Sequence, residues 1–282
     1  MPLRRKPVAT TVSGHNGIAL NVWDYGGPGV PLILAHCTGT LGRIWDPVVE
    51  ALEDKFRVLA PDTRGQGDSE APATRDQYRW DYSGKDLLAV VKHFNLGTGV
   101  AAVGHSAGGA HVAYAAQMSP ETFGKVMLID AIIADRAYFE GENRLATMVA
   151  HRKNEFASKD AARERLASKP PMANWVERAI DAYLDHALEV GEDGTCQLKC
   201  PGTREAWYYE LGGASDLYDT LDALELNACL VTGEDSYAQN WVAEQEKRLQ
   251  QVCVETVAGA GHFIPQEKPA ETAALITQWF RD

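Results

Sequence analysis

Cysteine is scarce in this sequence, and its distribution argues against two common uses of that residue. The 282-residue chain has five cysteines, an odd number, at positions 37, 196, 200, 229 and 253. Scattered cysteines of this kind are typical of free thiols in a reducing compartment rather than of a disulfide-stapled secreted domain. Cys196 and Cys200 have no second Cys or His pair at zinc-binding spacing, so we expect no metal site.

Long apolar runs and an excess of basic residues are also missing. No run is long enough to cross a bilayer, and the charged start Met1–Lys6 lacks the apolar stretch of a signal peptide. Lys and Arg number 27 against 39 Asp and Glu, which gives a formal charge of −12. Such a charge disfavours binding to nucleic acid or to anionic membranes. We therefore expect a cytoplasmic protein with a small-molecule substrate and no nucleic-acid or membrane partner, while its oligomeric state stays open.

Short apolar runs alternate with helix-like segments along most of the chain, which is typical of an α/β fold. Two N-terminal runs flank a turn-rich link and predict an antiparallel hairpin at a sheet edge. Six further runs predict the parallel strands of a mostly parallel, eight-stranded sheet with helices on both faces. The predicted strands are 10–13, 18–25, 32–35, 57–60, 100–103, 126–129, 228–232 and 253–257.

The segment from about Asp135 to Gly213 interrupts this alternation. It is rich in helix-forming residues and carries two aromatic-containing amphipathic runs, which are preceded by Pro170-Pro171 and by Pro201-Gly202 respectively. The pattern predicts a helical insertion into the α/β unit. Its aromatic residues could form the core of that insertion or face a substrate pocket.

The stretch Gly104-His105-Ser106-Ala107-Gly108 places a serine where an apolar strand gives way to a helix. This is the G-x-S-x-G pattern of a nucleophile elbow, in which a sharp strand-to-helix turn exposes the serine hydroxyl. The glycines two residues on either side are needed because a Cβ there would collide across the turn. Ser106 is therefore the candidate nucleophile.

A serine nucleophile needs a base and an orienting carboxylate, and both are found later in the chain. Asp235 follows the strand predicted at 228–232 and is the candidate acid. His262 follows the last predicted strand and is the candidate base. Asp130, at the end of the strand predicted at 126–129, is the alternative acid. Each residue also has a structural interpretation, since Asp235 could cap the next helix and a single histidine is often a surface residue.

With these residues in place, the chain resembles the α/β-hydrolase superfamily over nearly its whole length, apart from the middle insertion. The segment Leu32–Gly39 is similar to the family's His-Gly loop after the third strand, with Cys37 where that glycine usually stands. Pro61–Ser69 looks like the family's D-x-R-G-x-G-x-S loop. By the same resemblance, residues 1–134 and 214–282 are expected to form the core domain, and residues 135–213 a helical cap over the active site.

The resemblance also implies an oxyanion hole and a set of candidate pocket residues. The backbone amides of Thr38 and Ala107 are the expected oxyanion donors, and Asp62 and Arg64 are expected to pair with each other and tie their loop. A catalytic role for Cys37 is not expected, because small buried cysteines are mostly inert. The candidate pocket residues are His36, Cys37, His105, Trp207 and Tyr208.

Together these features predict a serine hydrolase that works through an acyl-enzyme and needs no cofactor. Serine at the elbow argues against dehalogenase or epoxide-hydrolase chemistry, for which relatives use aspartate. A carboxylesterase acting on small or medium esters is the favoured prediction, because it requires only the triad, the oxyanion hole and an apolar pocket. A carbon-carbon bond hydrolase, a lactonase and a thioesterase are alternatives, and a non-catalytic small-molecule receptor is the competing class.

Overall fold

The computed structural model describes residues 6–52, 54–140, 143–250 and 252–281, and the sheet within it follows the predicted alternation. The strands are β1 (Val8–Ser13), β2 (Ala19–Gly26), β3 (Val30–Ala35), β4 (Phe56–Pro61), β5 (Val100–His105), β6 (Phe123–Ile129), β7 (Glu155–Phe156), β8 (Leu188–Val190), β9 (Cys196–Leu198), β10 (Ala228–Gly233) and β11 (Cys253–Val257). The helices are α1 (Asp46–Ala51), α2 (Trp80–His93), α3 (Ala107–Met118), α4 (Arg136–Phe139), α5 (Arg144–Ala150), α6 (Lys159–Ala167), α7 (Glu177–His186), α8 (Gly202–Leu211), α9 (Gln239–Arg248), α10 (Ile264–Glu267) and α11 (Pro269–Trp279).

Eight strands form one sheet in the order β1-β2-β4-β3-β5-β6-β10-β11. The β1–β2 hairpin and the β2–β4 pair are antiparallel, and every other pairing in this sheet is parallel. The prediction of a mostly parallel eight-stranded α/β sheet is therefore confirmed. Because β3, β5, β6 and β10 are consecutive neighbours and parallel, their carboxyl ends meet at one edge of the sheet, where α/β proteins bind ligands.

The sheet is covered on both faces, as its strand composition requires. All six residues of β5 are buried, and alternate side chains join different cores. Ala102 packs with residues of α2 and α3, whereas Val103 packs with residues of α1 and α11. This two-residue alternation follows from the pleat of a strand, and it explains why the buried central strand reads as an uninterrupted apolar run.

The middle segment contains helices α4 to α8, as expected, together with an element that the sequence did not indicate. Strands β7, β8 and β9 form a small antiparallel sheet in the order β7-β9-β8. These strands have only two or three residues each, which is too short for a periodic pattern to be recognised. The segment is joined to the core by hydrogen bonds from the Trp80 indole to the Tyr208 carbonyl (2.9 Å) and from the Tyr208 hydroxyl to the Arg64 carbonyl (2.6 Å).

The loop after β4 is tied differently from the expected Asp62–Arg64 pair, so that expectation is wrong. Arg64 instead forms a buried bidentate ion pair with Asp86 of α2, with both N···O distances at 2.7 Å. Asp62 accepts hydrogen bonds from the backbone amides of Gly42 and Asp68. The planar guanidinium suits a two-point contact with the α2 carboxylate, while the short Asp62 side chain satisfies nearby amides.

No helix within the described residues is long and apolar enough to cross a membrane.

Candidate active site

Ser106 lies in the sharp turn between β5 and α3, in a strained conformation with φ 56° and ψ −120°. A Cβ on Gly104 would lie 2.3 Å from the Gly108 carbonyl oxygen, and one on Gly108 would lie 2.3 Å from the Ala35 carbonyl oxygen. Both distances are far inside van der Waals contact, so only glycine fits at either position. The glycine spacing of the sequence motif is thus explained by close backbone packing around the nucleophile.

His262 lies on the loop between β11 and α10, next to Ser106. Its Nε2 is 3.0 Å from the Ser106 Oγ, and the side chain is buried. This distance is within hydrogen-bonding range for a base that removes the hydroxyl proton. The structure therefore brings together two of the three side chains predicted to form a triad, although they are 156 positions apart.

The carboxylate next to His262 belongs to Asp130, so the sequence-based placement of Asp235 is wrong. Asp130 Oδ2 is 3.3 Å from His262 Nδ1, and Asp130 is fully buried. The Thr232 and Ser236 hydroxyls donate to the same carboxylate at 2.7 and 2.5 Å. The alternative acid named from the sequence is the residue that contacts the imidazole.

The difference lies in where each side chain is placed, because strand order alone does not separate the two residues. Asp130 immediately follows β6, next to β5, and Asp235 lies two residues past β10, next to β11, the strand that precedes His262. The Asp235 side chain is exposed, and its backbone amide donates to the Ala260 carbonyl oxygen at 2.9 Å.

The expected oxyanion donors Thr38 and Ala107 line the same cavity as Ser106. Ala107 is the first residue of α3, so its amide has no carbonyl one turn earlier to bond within the helix. Within the described part of the chain, the Thr38 amide has no acceptor either. Both amides are thus available to an anionic oxygen. Position 37 does not require glycine, because the residue of this loop that has a left-handed backbone conformation is Gly39, with φ 79°.

A small cavity opens at Ser106 and His262. The volume open to the centre of a water-sized sphere is about 40 Å³. Half of the lining residues are aromatic or imidazole side chains, and none of the described lining residues is Lys, Arg, Asp or Glu. The lining residues are Cys37, Thr38, Trp80, Ser106, Ala107, Ile132, Tyr138, Phe139, Asn143, Leu145, Tyr209, Tyr237, His262 and Phe263.

Cys37 is the one candidate pocket residue that lines this cavity. Burial raises the pKa of its thiol to about 12, so a catalytic thiolate is disfavoured. His36 faces the loop after β4, where Nδ1 donates to the Cys37 carbonyl oxygen (2.8 Å) and Nε2 accepts from the Thr63 amide (2.9 Å). Burial lowers the pKa of His36 to about 4, which keeps the ring neutral. The placement of His36 in the pocket was therefore wrong.

The placements of His105, Trp207 and Tyr208 in the pocket were also wrong. The His105 Nε2 donates to the backbone carbonyl of His262 at 2.8 Å, and His105 does not line the cavity. Trp207 packs on Tyr78 with ring centroids 5.3 Å apart, and Tyr208 is buried and bonded to the Arg64 carbonyl. In each case a hydrogen bond or ring contact directs the side chain away from the cavity.

Comparison with known families adds an independent line of evidence on this fold. The sequence profile described as the alpha/beta hydrolase family matches residues 32–275, which is most of the chain. The chain belongs to the alpha/beta hydrolase family. Members of this family are generally hydrolytic enzymes, and the expected superfamily and fold are both confirmed.

Similar members of the alpha/beta hydrolase family have different activities. A soluble epoxide hydrolase of Corynebacterium sp. (strain C12) is 26% identical over 262 residues, covering 86% of this chain and 87% of the relative. The structure of E-2-(acetamidomethylene)succinate hydrolase matches with a TM-score of 0.83 at 22% identity, covering 98% of this chain and 100% of that one. A thermophilic esterase from Thermogutta terrifontis, with malate bound, matches with a TM-score of 0.73 at 21% identity and covers 98% of both chains. At these identities the structural matches establish the fold alone.

Several cavity residues were missed by sequence reasoning. Tyr138, Phe139, Asn143, Leu145 and Tyr209 come from the middle segment of this hydrolase. Tyr209 directly follows the two aromatics that were singled out, and only the rotation of α8 about its axis decides which of the three faces the cavity. The turn between β10 and α9 contributes Tyr237. In the sequence, only its position shortly after a predicted strand could have indicated that Tyr237 lines the cavity.

Proposed function

We propose that this chain is a serine hydrolase that cleaves small, uncharged carboxylic esters through an acyl-enzyme. The observation that carries the proposal is the pair of side-chain contacts that links Ser106 to His262 and His262 to Asp130. Ser106 Oγ lies 3.0 Å from His262 Nε2, and His262 Nδ1 lies 3.3 Å from Asp130 Oδ2. Acyl transfer to water requires a hydroxyl, an imidazole and a carboxylate that contact one another in this spatial order.

In the proposed reaction, His262 takes the Ser106 hydroxyl proton while Oγ attacks the ester carbonyl carbon. The amides of Thr38 and Ala107 donate to the oxyanion, and Asp130 stabilises the imidazolium. Collapse of the tetrahedral intermediate breaks the bond to the alcohol oxygen, which takes its proton from His262 Nε2. A water molecule, deprotonated by His262, then attacks the acyl carbon; the bond from that carbon to Ser106 Oγ breaks, Oγ takes the proton back from His262 Nε2, and the carboxylic acid leaves.

The dimensions and chemistry of the cavity support a small, uncharged substrate. A space of about 40 Å³ for sphere centres corresponds to only a few water molecules. Its aromatic and aliphatic walls favour apolar groups, and the described lining residues offer no cation to a carboxylate substituent. The segment 135–213 supplies five wall residues, which supports a role as a cap over the site.

The identity of the nucleophile supports acyl transfer over epoxide opening, despite the similarity to an epoxide hydrolase. Ser106 carries the elbow hydroxyl, where the carboxylate of an aspartate would be needed to open an epoxide through an ester intermediate. Lactones and thioesters pass through the same acyl-enzyme, so the substrate panel must include them.

A fluorophosphonate probe followed by intact-mass measurement tests the reaction class. We expect one adduct on the wild type, located on Ser106 by peptide mapping, and none on Ser106→Ala. A panel of p-nitrophenyl esters, a lactone, a thioester and a vinylogous diketone tests the substrate class, with the esters expected to be turned over fastest. A folded wild-type protein that forms no Ser106 adduct would refute the serine-hydrolase assignment and favour a receptor.

A further inference from the structure

Two aromatic side chains line the catalytic cavity and are also exposed to solvent. Tyr237 is 61% exposed and Tyr138 is 43% exposed, although both contribute to the cavity wall. Trp241 of α9 lies behind them, with ring centroids 6.2 Å from Tyr237 and 4.7 Å from Tyr138. We call Tyr138, Tyr237 and Trp241 the aromatic rim. Exposed aromatic surface at a cavity mouth is typical of a binding site.

The aromatic rim is continuous with the catalytic base. The Tyr237 ring lies 4.5 Å from the His262 ring, with an angle of 34° between their planes. The three rim rings therefore form a series of contacts that begins at His262, in the order Tyr237, Trp241 and Tyr138. Two separate stretches of the chain carry them, since Tyr237 lies in the turn after β10, Trp241 lies in the following helix α9, and Tyr138 lies in α4.

The chemistry at His262 determines which part of an ester lies beside this surface. After the tetrahedral intermediate collapses, His262 Nε2 must give its proton to the departing alcohol oxygen. That oxygen has to lie within hydrogen-bonding distance of Nε2, so the alcohol part of the ester leaves along the side of the cavity where His262 is located. The acyl part stays bonded to Ser106.

We propose that the aromatic rim is the subsite for the alcohol part of the ester, and that it selects alcohols carrying a flat aromatic ring. The proposal rests on the serine-hydrolase function and specifies its substrate class as arylalkyl or aryl esters of small acids. Aromatic rings gain from edge-to-face and offset contacts beyond what their buried area gives, so three rings at one site favour a flat ring over a puckered one of equal size. Because the rim is open to solvent, a ring can enter and leave without opening the cavity.

A pair of esters separates this preference from intrinsic reactivity. Benzyl acetate and cyclohexylmethyl acetate have the same acyl group and similar size, and differ in whether the ring is flat. We expect the wild type to have a kcat/KM about tenfold higher for benzyl acetate. In Tyr138→Ala this ratio should fall to about two or less, whereas Tyr138→Phe, which keeps the ring, should retain it.

Tyr138 is chosen over Tyr237 because Tyr237 stacks on His262, and removing it would also disturb the base. Trp207→Ala is the matched control, since Trp207 is an aromatic residue of the same middle segment that packs on Tyr78 and does not line the cavity. Its ratio should equal that of the wild type. A second measurement needs no variant: benzyl alcohol should inhibit the wild type at a severalfold lower concentration than cyclohexylmethanol.

Failure of this proposal can be told apart from failure of the proposed function. If the fluorophosphonate labels Ser106 and acetate esters are turned over, but the two ring esters are cleaved equally well, the aromatic rim is not an aromatic subsite and the serine hydrolase stands. An unchanged ratio in Tyr138→Ala, together with equal inhibition by the two alcohols, overturns it as well. If Ser106 is not labelled, the function falls and the subsite falls with it.

Discussion

Replacing Asp130 with asparagine tests which carboxylate orients the base. Asp130 has a positive φ of 43°, a conformation that asparagine tolerates better than most residues, so Asp130→Asn can keep the backbone in place. The Thr232 and Ser236 hydroxyls that donate to the carboxylate can rotate to suit an amide. We therefore expect a stability loss of only about 1 kcal/mol.

The expected loss of catalysis is much larger, because the neutral side-chain amide introduced by Asp130→Asn cannot balance the charge of the His262 imidazolium. If its NH₂ group faces His262 Nδ1, it also favours the tautomer that has the proton on Nε2, where a base must be free to accept. A change of this kind in a Ser-His-Asp triad lowers kcat by about 10⁴-fold, or about 5.5 kcal/mol of barrier. The resting Nδ1···Oδ2 distance of 3.3 Å is longer than a typical charge-assisted bond, so a loss nearer 10³-fold would still agree with the structure.

Asp235→Asn is the matched control, because it makes the same chemical change at an exposed carboxylate just past the neighbouring strand. Its kcat should stay within about twofold of the wild type. Steady-state kinetics on p-nitrophenyl acetate, with circular dichroism to verify folding, would measure all three proteins. A large loss in Asp235→Asn together with a small loss in Asp130→Asn would refute the assignment of Asp130.

Three further predictions concern the nucleophile and two buried histidines. Ser106→Ala should lower kcat by about 10⁴-fold or more without changing the circular dichroism spectrum, and a folded variant that keeps several per cent of activity would contradict the mechanism. His105→Leu removes the donor to the His262 carbonyl and should lower kcat by roughly 10- to 100-fold with little change in KM, whereas His105→Gln keeps a donor and should recover most of the loss; equal losses in both would argue against positioning through this bond. Burial lowers the pKa of His111 from 6.5 to about 3, so between these pH values the unfolded chain binds the extra proton and stability falls as the pH falls. In urea unfolding between pH 6 and 4, His111→Phe should lose stability less steeply than the wild type by about 1.4 kcal/mol per pH unit, and parallel curves would show that His111 does not carry this effect.

The sequence predicted the features that depend on local order along the chain. Each of the eight predicted strands exists in the large sheet, with ends shifted by at most three residues, because buried parallel strands leave short apolar runs between helices. The positions of Ser106 and His262 followed from the same order, since each lies just after a strand. Parallel topology then brings both residues to one edge of the sheet without further information.

The choice between Asp130 and Asp235 required information that the local pattern does not contain. Both residues follow an apolar run and are compatible with a carboxylate at the carboxyl end of a strand. What separates them is side-chain placement, since Asp130 is fully buried beside His262 whereas the Asp235 side chain is exposed, and burial is a property of the folded chain. The hydroxyls of Thr232 and Ser236, on either side of Asp235 in the chain, reach Asp130 instead.

The pocket assignments failed for a different reason, namely the direction of side chains within correctly located segments. In α8, Trp207, Tyr208 and Tyr209 differ by about 100° in direction per residue, so aromatic character alone could not identify the one that lines the cavity. Tyr208 was unsuitable because its hydroxyl bonds the Arg64 carbonyl between the middle segment and the core. His105 was unsuitable because its one donated bond goes to the main chain of His262.

Two strained backbone conformations in the candidate site fix the positions of Ser106 and Asp130. Ser106 and Asp130 are both non-glycine residues at positive φ, and each immediately follows one of the two adjacent strands β5 and β6. The chain at these points is fixed by cross-strand bonds, from the Ser106 amide to the Ile129 carbonyl (2.9 Å) and from the Asp130 amide to the Val231 carbonyl (2.7 Å). Such conformations persist only where surrounding structure imposes them. We therefore infer that the sheet holds Ser106 and Asp130 in contact with His262, and that a relaxed strand end at either residue would lose the alignment on which the proposed reaction depends.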